Sequence, residues 1–296
     1  MHGKGKHGRF AGLPDRYFDP QTAKVHILPV PFDLTSTYQK GADLGPAELI
    51  EASRNLELYD IETHTEVYKV GIHTAQPILC TTSVEMLQEL EKQTAERLAQ
   101  GKFVAVLGGE HSISQAPIRA HAQAFPGISI LHLDAHADLQ PAYEGNPLSH
   151  ASVMSRVREI PSIASTVAVG IRSMSSDELP YIDSENTFWA HEIWQDNHWI
   201  DEVIDKLVSS KVYITLDLDV LDPALLPATG TPEPGGIQWY QLMLLLRRVA
   251  SERTIVGFDI VELCPRPHDH SSNFVAAKLT YKLLSYIYAS APEAKV

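Results

Sequence analysis

Short runs dominated by Val, Ile and Leu recur from end to end of the chain, at 24–31, 67–72, 102–107, 128–133, 165–170, 211–216 and 254–261, with a shorter one at 186–190. Runs this continuous indicate strands buried on both faces, because a strand with one wet face alternates apolar with polar residues. Stretches of helical character separate them. Residues 82–100 open with Thr82 and Glu85 in capping-box spacing and stop at Gly101, and Val84, Leu87, Leu90 and Leu98 fit one helical face. Residues 238–250 are strongly apolar and predict a deeply packed helix, and a last helix is expected over 273–289. The stretch 222–236 (DPALLPATGTPEPGG) holds too much Pro and Gly for a regular element. The pattern predicts an α/β protein: one three-layer α/β/α domain over 21–296 with a mainly parallel, roughly eight-stranded sheet, preceded by a loose N-terminal arm over 1–20.

Charge and cysteine content exclude several classes. The net charge of −13 opposes nucleic-acid binding, which needs a basic footprint, and favours a cationic ligand. No window approaches the roughly 18 apolar residues of a membrane span, and no apolar run follows the basic N-terminus as in a secretory signal. Cys80 and Cys264 lie far apart in apolar surroundings, which predicts two buried thiols and a cytoplasmic protein.

Ligand-binding residues of such a sheet gather beyond the carboxyl ends of its strands. Four of the runs end in unusual residues there. GGEHS (108–112) presents His111; DAHAD (134–138) presents Asp134, His136 and Asp138; DLD (217–219) presents Asp217 and Asp219; and the run at 254–261 is followed by Glu262. In extended backbone, residues i, i+2 and i+4 project to one side, so each set can converge. An Asp at a strand end is ordinarily a cap, and an isolated His is ordinarily structural. Three such segments in order, each at a strand end, instead make an oxygen- and nitrogen-rich ligand set without sulfur. That set suits Mn²⁺, with Zn²⁺, Fe²⁺, Co²⁺ or Ni²⁺ also open. Four carboxylates packed together call for more than one cation. Two ions about 3.5–4 Å apart would lower the pKa of a shared water.

With PVPFD (29–33), KGADLGP (40–46), GGEHS, LHLDAHADL, SHAS (149–152), LDLDVLDP, PATGTPEPGG and DIVEL (259–263), the chain resembles the ureohydrolase family of arginases and agmatinases over nearly its whole length. The resemblance implies an arginase-like parallel-sheet fold and hydrolysis of a guanidinium group to urea and an amine at two Mn²⁺. It implies that His111, Asp134, Asp138 and Asp217 hold one ion and Asp134, His136, Asp217 and Asp219 the other. It makes His150 the proton shuttle to the departing amine and Glu262 the carboxylate that pairs with the guanidinium, and it sets Thr231 near the substrate. Glu110 stands where the family most often has Asp. His132 reads as packed or as a neighbour of the ligands, and Asp269, between His268 and His270, as a helix cap.

Departures from the arginase pattern bear on the substrate. Asn146 and Leu148 precede His150, and Ser175 stands where arginases place an Asp for the amino-acid end. The segment YEGNPLSHAS resembles agmatinases more closely, which implies agmatine, a small cationic guanidino compound, with Asn146 among the substrate contacts. A guanidinobutyrase or another guanidino-acid hydrolase would need a cation near the substrate tail, from Arg156 or Arg172; a catalytically silent metal-binding member is a further alternative. The family also implies homotrimers or homohexamers, for which the apolar C-terminal third would offer surface.

Overall fold

A computed structural model describes residues 6–289. The strands are β1 (Val25–Val30), β2 (Ile72–Thr74), β3 (Phe103–Gly108), β4 (Ile128–Leu133), β5 (Ile163–Ile171), β6 (Thr187–Trp189), β7 (Lys211–Asp217) and β8 (Thr254–Val261). They form one sheet in the order β2-β1-β3-β8-β7-β4-β5-β6, with every neighbouring pair parallel. The helices are α1 (Gly45–Ser53), α2 (Ser83–Ala99), α3 (Gln115–Ala124), α4 (Val153–Val157), α5 (Ala190–Ile193), α6 (Trp199–Lys206), α7 (Trp239–Glu252) and α8 (Ser271–Ala289).

The continuous apolar runs are explained by cover on both faces. Val25 and Ile27 of β1 join Ala105, Leu107, Ile214 and Leu216 in a core shared with α1, α6, α7 and α8. Leu28 and Val30 face the other way, against α2 and α3, and Ile128 and Ile130 pack on α3 and α4. The result is the expected α/β/α sandwich of eight strands.

Four local expectations are corrected. The run at 67–72 is not a strand: Val67–Val70 form a 3-10 turn, and pairing starts at Ile72, after Gly71 at φ +82. A Cβ at Gly71 would lie 2.7 Å from Ala23 Cα, so this close crossing takes only glycine. Helix α2 starts as predicted, with Thr82 accepting from Glu85 N–H, but its buried stripe runs through Met86, Leu90 and Thr94 and leaves Val84 exposed. The expected loose arm, of which 1–5 lie outside the described residues, is packed in its central part. Phe10 and Leu13 are buried, and the Phe10 and Ala11 N–H groups donate to Thr74 and Ser53 hydroxyls. Its apolar residues carry no period, so only the tertiary slot reveals them. Finally, Cys264 is buried but Cys80 is half-buried, both as free thiols.

The apolar C-terminal third is largely taken up inside the subunit, since Leu242, Leu245, Leu246 and Val249 of α7 and Leu279, Leu283 and Leu284 of α8 all lie in the core. Among the described residues, no helix is long and apolar enough to cross a membrane.

β3 and β4 are consecutive in the chain, yet β8 and β7 lie between them in the sheet. Four adjacent strands therefore present their carboxyl ends at one crevice, where the strand order reverses.

Candidate metal centre

The crevice collects what its strands carry. Strand pairing of β1 with β3 runs on past the sheet, with Gly109 N–H donating to Val30 and Glu110 N–H to Phe32. Gly109 is pressed so closely on Phe32 that a Cβ would overlap its carbonyl, at 1.9 Å. This close path delivers His111 to the crevice floor, where it is 1% exposed. Its Nδ1 lies 3.0 Å from Asp134 Oδ2, 3.0 Å from Asp138 Oδ2 and 3.5 Å from Asp217 Oδ2. A second focus surrounds His136 Nδ1, 3.0 Å from Asp219 Oδ2 and 3.6 Å from Asp134 Oδ1. Asp134 thus turns one oxygen to each focus.

All six expected ligands meet here, but not by strand alternation alone. β7 ends at Asp217, whose Oδ1 caps the 3-10 turn Leu218–Val220 by accepting from Asp219 N–H, and this turn swings Asp219 to the second focus. Asp138 reaches His111 from a left-handed backbone, φ +54. Strand-like backbone continues from Asp134 only as far as His136, where an isolated parallel bridge to Ser173 extends the ladder of β4 and β5.

Proton bookkeeping tests whether cations fit. Thr215 Oγ1 donates its hydrogen to Asp259 Oδ1 at 2.8 Å, so the 2.9 Å contact of His111 Nε2 with Thr215 Oγ1 is an N–H donation from the imidazole. Nδ1 is thereby left to face the carboxylates, and against its burial Asp134 and Asp138 raise the His111 imidazole well above its ordinary range, so that a proton is held between them. In the neutral ring the lone pair of Nδ1 would face three carboxylates, which is how a histidine ligand is oriented toward a cation. Titration tells the same story. Burial and then the neighbouring Asp219 raise the Asp217 carboxyl well above the usual range, while burial and then Glu110 do so for Glu262. His136 overcomes its burial through Asp219 and Asp134 and is raised to about 12. The cluster therefore holds protons where cations would relieve the charge, and the residues fit divalent metal.

Neighbouring groups orient the set. His132 Nε2 contacts Asp134 Oδ2 at 2.8 Å, in keeping with its expected place beside the ligands. Asp219 Oδ1 accepts from Ala135 N–H at 3.1 Å.

A cleft of about 200 Å³ opens over the two foci, lined by His150, Glu262 and Thr231, with Tyr38, Gln39, Tyr143 and Glu178 among its walls. Glu262, at φ +64, accepts from His111 N–H through Oε1 at 2.7 Å. His150 is half-buried at the start of a 3-10 turn and stacks edge-on to Tyr143 at 5.8 Å. Asn146 is not brought to the cleft walls: its Oδ1 accepts from Leu148 N–H at 2.9 Å, which ties it into its own loop. Ser175 lines the cleft but commits its hydroxyl oxygen to Asp177 N–H, in a capping box closed by Glu178. Asp269 organises the start of α8, accepting from the Ser271 N–H and from the Ser271 and Ser272 hydroxyls.

Three residues escape sequence reasoning. Glu178 is 3% exposed, and its carboxylate receives the N–H groups of Leu139 and Ser175. Thr35 touches His150 Nδ1 at 3.2 Å from a loop with no period of its own. Arg172 enters the sequence argument only as a cation for a substrate tail. Among the described residues, its guanidinium instead donates to main-chain carbonyls, those of Gly170, Asp219 at 2.6 Å and Glu233 at 2.8 Å among them. A departure from family pattern at Glu110 is the sole signal pointing toward Thr35.

Residues 23–285 match the Arginase family. The "N(1)-aminopropylagmatine ureohydrolase" of Thermus thermophilus is 38% identical over 88% of this chain and 89% of that protein. The "Agmatinase" of Bacillus anthracis is 34% identical over 89% of this chain and 92% of that one. Among solved structures, the agmatine ureohydrolase of Thermoplasma volcanium superposes with a TM-score of 0.83 at 30% identity, covering 91% of each chain.

Proposed function

The chain belongs to the arginase family, and from that premise we propose that it hydrolyses agmatine to putrescine and urea. It is a hydrolase of guanidino compounds, and relatives acting on agmatine-like substrates cover most of its length. The observation that carries the choice of substrate is the cleft wall: its lining side chains include Glu178 and Glu262 but no Lys or Arg among the described residues. Arg172 is held by carbonyl oxygens and Arg156 pairs with Glu159 at 3.0 Å, so neither faces a substrate carboxylate. A dicationic substrate suits such a wall, and a guanidino acid or arginine does not.

Two Mn²⁺, held by His111, Asp134, Asp138 and Asp217 and by Asp134, His136, Asp217 and Asp219, would supply an activated water. Glu262, costly to ionise where it is buried, regains its charge beside a guanidinium, which its two oxygens grip in plane. His150, at the cleft wall, passes a proton to the amine as it departs. The match to the Thermus relative favours a second reading with the same chemistry, N(1)-aminopropylagmatine, whose longer tail carries one more amine.

Urea release from agmatine, N(1)-aminopropylagmatine, arginine, 4-guanidinobutyrate and free guanidine tests this directly. The highest kcat/KM should fall on agmatine. Preference for 4-guanidinobutyrate or arginine would overturn the reading, and preference for the aminopropyl compound would move it to the longer tail. Assembly as homotrimers or homohexamers belongs to the same proposal, and sedimentation of the metal-loaded protein as a monomer would refute it. The free thiols support a cytoplasmic location; recovery of the protein only outside the cytoplasm in cell fractionation would refute that.

A further inference from the structure

The Glu110 carboxylate is fully buried and receives five donors: the N–H and hydroxyl of Thr35, the N–H and hydroxyl of Ser36, and the hydroxyl of Ser112. Four of the five come from a loop 74 or 75 residues away in sequence. That loop continues as Thr37, Tyr38 and Gln39 along the cleft wall. Its far end is anchored separately, where Asp33 accepts from the Gly41 and Ala42 N–H groups.

Thr35 Oγ1 is the junction. It donates its single hydrogen to Glu110 Oε1 at 2.8 Å and accepts from His150 N–H at 3.0 Å. His150 Nδ1 lies 3.2 Å from the same oxygen. A hydroxyl has one hydrogen, and here it goes to a carboxylate. Nδ1 must then be the donor in that contact, since two lone pairs at this separation would repel. The Ser149 hydroxyl oxygen, 3.4 Å from Nδ1, is a second, longer acceptor for the same N–H. A neutral ring with its hydrogen on Nδ1 carries its lone pair on Nε2.

We infer that Glu110, acting through Thr35, is a positioning device that fixes the tautomer and orientation of His150, so that Nε2 is the nitrogen that exchanges protons with the reacting groups. This rests on the role given to His150 in the proposed function. It accounts for Glu rather than the family's more common Asp, because an Asp is one methylene short of the Thr35 and Ser36 donors. The Glu110 oxygens accept from every donor around them, which sets the direction of the Thr35 hydroxyl.

A double-mutant cycle between Thr35→Val and His150→Asn, on metal-loaded protein and the best substrate of the panel, tests the inference. Thr35→Val should lower kcat about 10-fold to 100-fold, at or below the lower end of the range of acid–base assistance, with KM and metal content nearly unchanged. Thr35→Ser keeps the hydroxyl and should restore most of the rate. In a His150→Asn background, Thr35→Val should cost almost nothing further, because its effect passes through the imidazole. Glu110→Asp should reproduce the Thr35→Val loss. If Thr35→Val does not fold, Thr35→Ala completes the same cycle. Full additivity, an effect on KM alone, or an unchanged kcat in Thr35→Val overturns the inference while the role of His150 stands. An unchanged kcat in His150→Asn instead overturns that role, and the inference with it.

Discussion

The main-chain N–H of His111 donates to Glu262 Oε1 at 2.7 Å, so the carboxylate assigned to the substrate is hung from the backbone of a residue assigned to the metal. The two come from β3 and β8, neighbours in the sheet although 151 residues apart in sequence. One oxygen of Glu262 is thereby held in place, and its left-handed backbone at φ +64 turns the side chain to the crevice just beyond the strand end. On the proposed function, this one contact would couple substrate grip to metal position.

Glu262→Gln keeps the shape of this side chain and removes its charge. Breaking a desolvated charge pair typically costs about 2–5 kcal/mol, so kcat/KM for the preferred guanidino compound should fall severely. Stability should not fall with it, because burial already disfavours the ionised carboxyl. Urea-release kinetics and thermal unfolding measured side by side check both halves; an unchanged kcat/KM would remove Glu262 from the substrate site.

Asp134 faces both imidazole foci, whereas Asp219 approaches only His136 among the two. Asp134→Asn should therefore lose more bound metal and more activity than Asp219→Asn. Chelation should abolish wild-type activity, and Mn²⁺ should restore it best. Saturating metal should also raise the melting temperature, since a ligand at 100 times its Kd stabilises by about 2.7 kcal/mol. Equal metal content in the two variants, by elemental analysis, would sink the assignment of Asp134 as the shared ligand.

Arg172 joins the end of β5 to the Asp219–Leu221 turn and to the Glu233–Pro234 turn through main-chain acceptors. Arg172→Lys keeps the charge but loses the planar fork that reaches several carbonyls at once. Hydrogen bonds from a charged donor are worth about 1.5–3 kcal/mol each, so the variant should be less stable by at least about 2 kcal/mol. Cleavage within 222–236 during limited proteolysis should appear first. A melting temperature equal to wild type would contradict this.

Two buried imidazoles outside the site make stability depend on acid. His121, whose Nδ1 contacts Pro117 O at 2.7 Å, and His26 are each lowered by burial to about 4 from the ordinary 6.5. The unfolded chain takes up protons there near pH 6.5, and the native state does so only near 4. Stability is thus undiminished by these groups above about pH 6.5 and falls progressively toward pH 4, each imidazole removing up to about 1.4 kcal/mol for every pH unit crossed. His121→Gln removes one of the two and should flatten the slope of unfolding free energy across that same interval. An identical slope in the variant would show that His121 is not a source of it.

Much of this molecule was legible in one dimension. Apolar runs ending in His111, Asp134, His136, Asp138, Asp217, Asp219 and Glu262 announced both the buried parallel strands and the residues that meet at the crevice, because strand period and terminal residues are local properties of the chain. Helix α2 was legible for the same reason, through Thr82 and Gly101. Other features had no local signature. The 3-10 turn at Val67–Val70 depended on how closely Gly71 crosses Ala23, and the burial of Phe10 on a slot built by Thr74 and Ser53. Asn146 matched a substrate position by family resemblance, yet its own loop claimed the side chain.

What the residues alone determined was which chemistry this chain can carry; which groups lie together was decided by the order β1-β3-β8-β7-β4 and by the loop laid over it. That order brings Glu262 to His111 and the 33–42 loop to Glu110, so that Thr35 can meet His150 across 115 residues of sequence. Periodicity reports the environment of one element, whereas strand adjacency and proton direction arise from pairings between distant ones, where each donor is claimed by the best acceptor the packed fold leaves within reach.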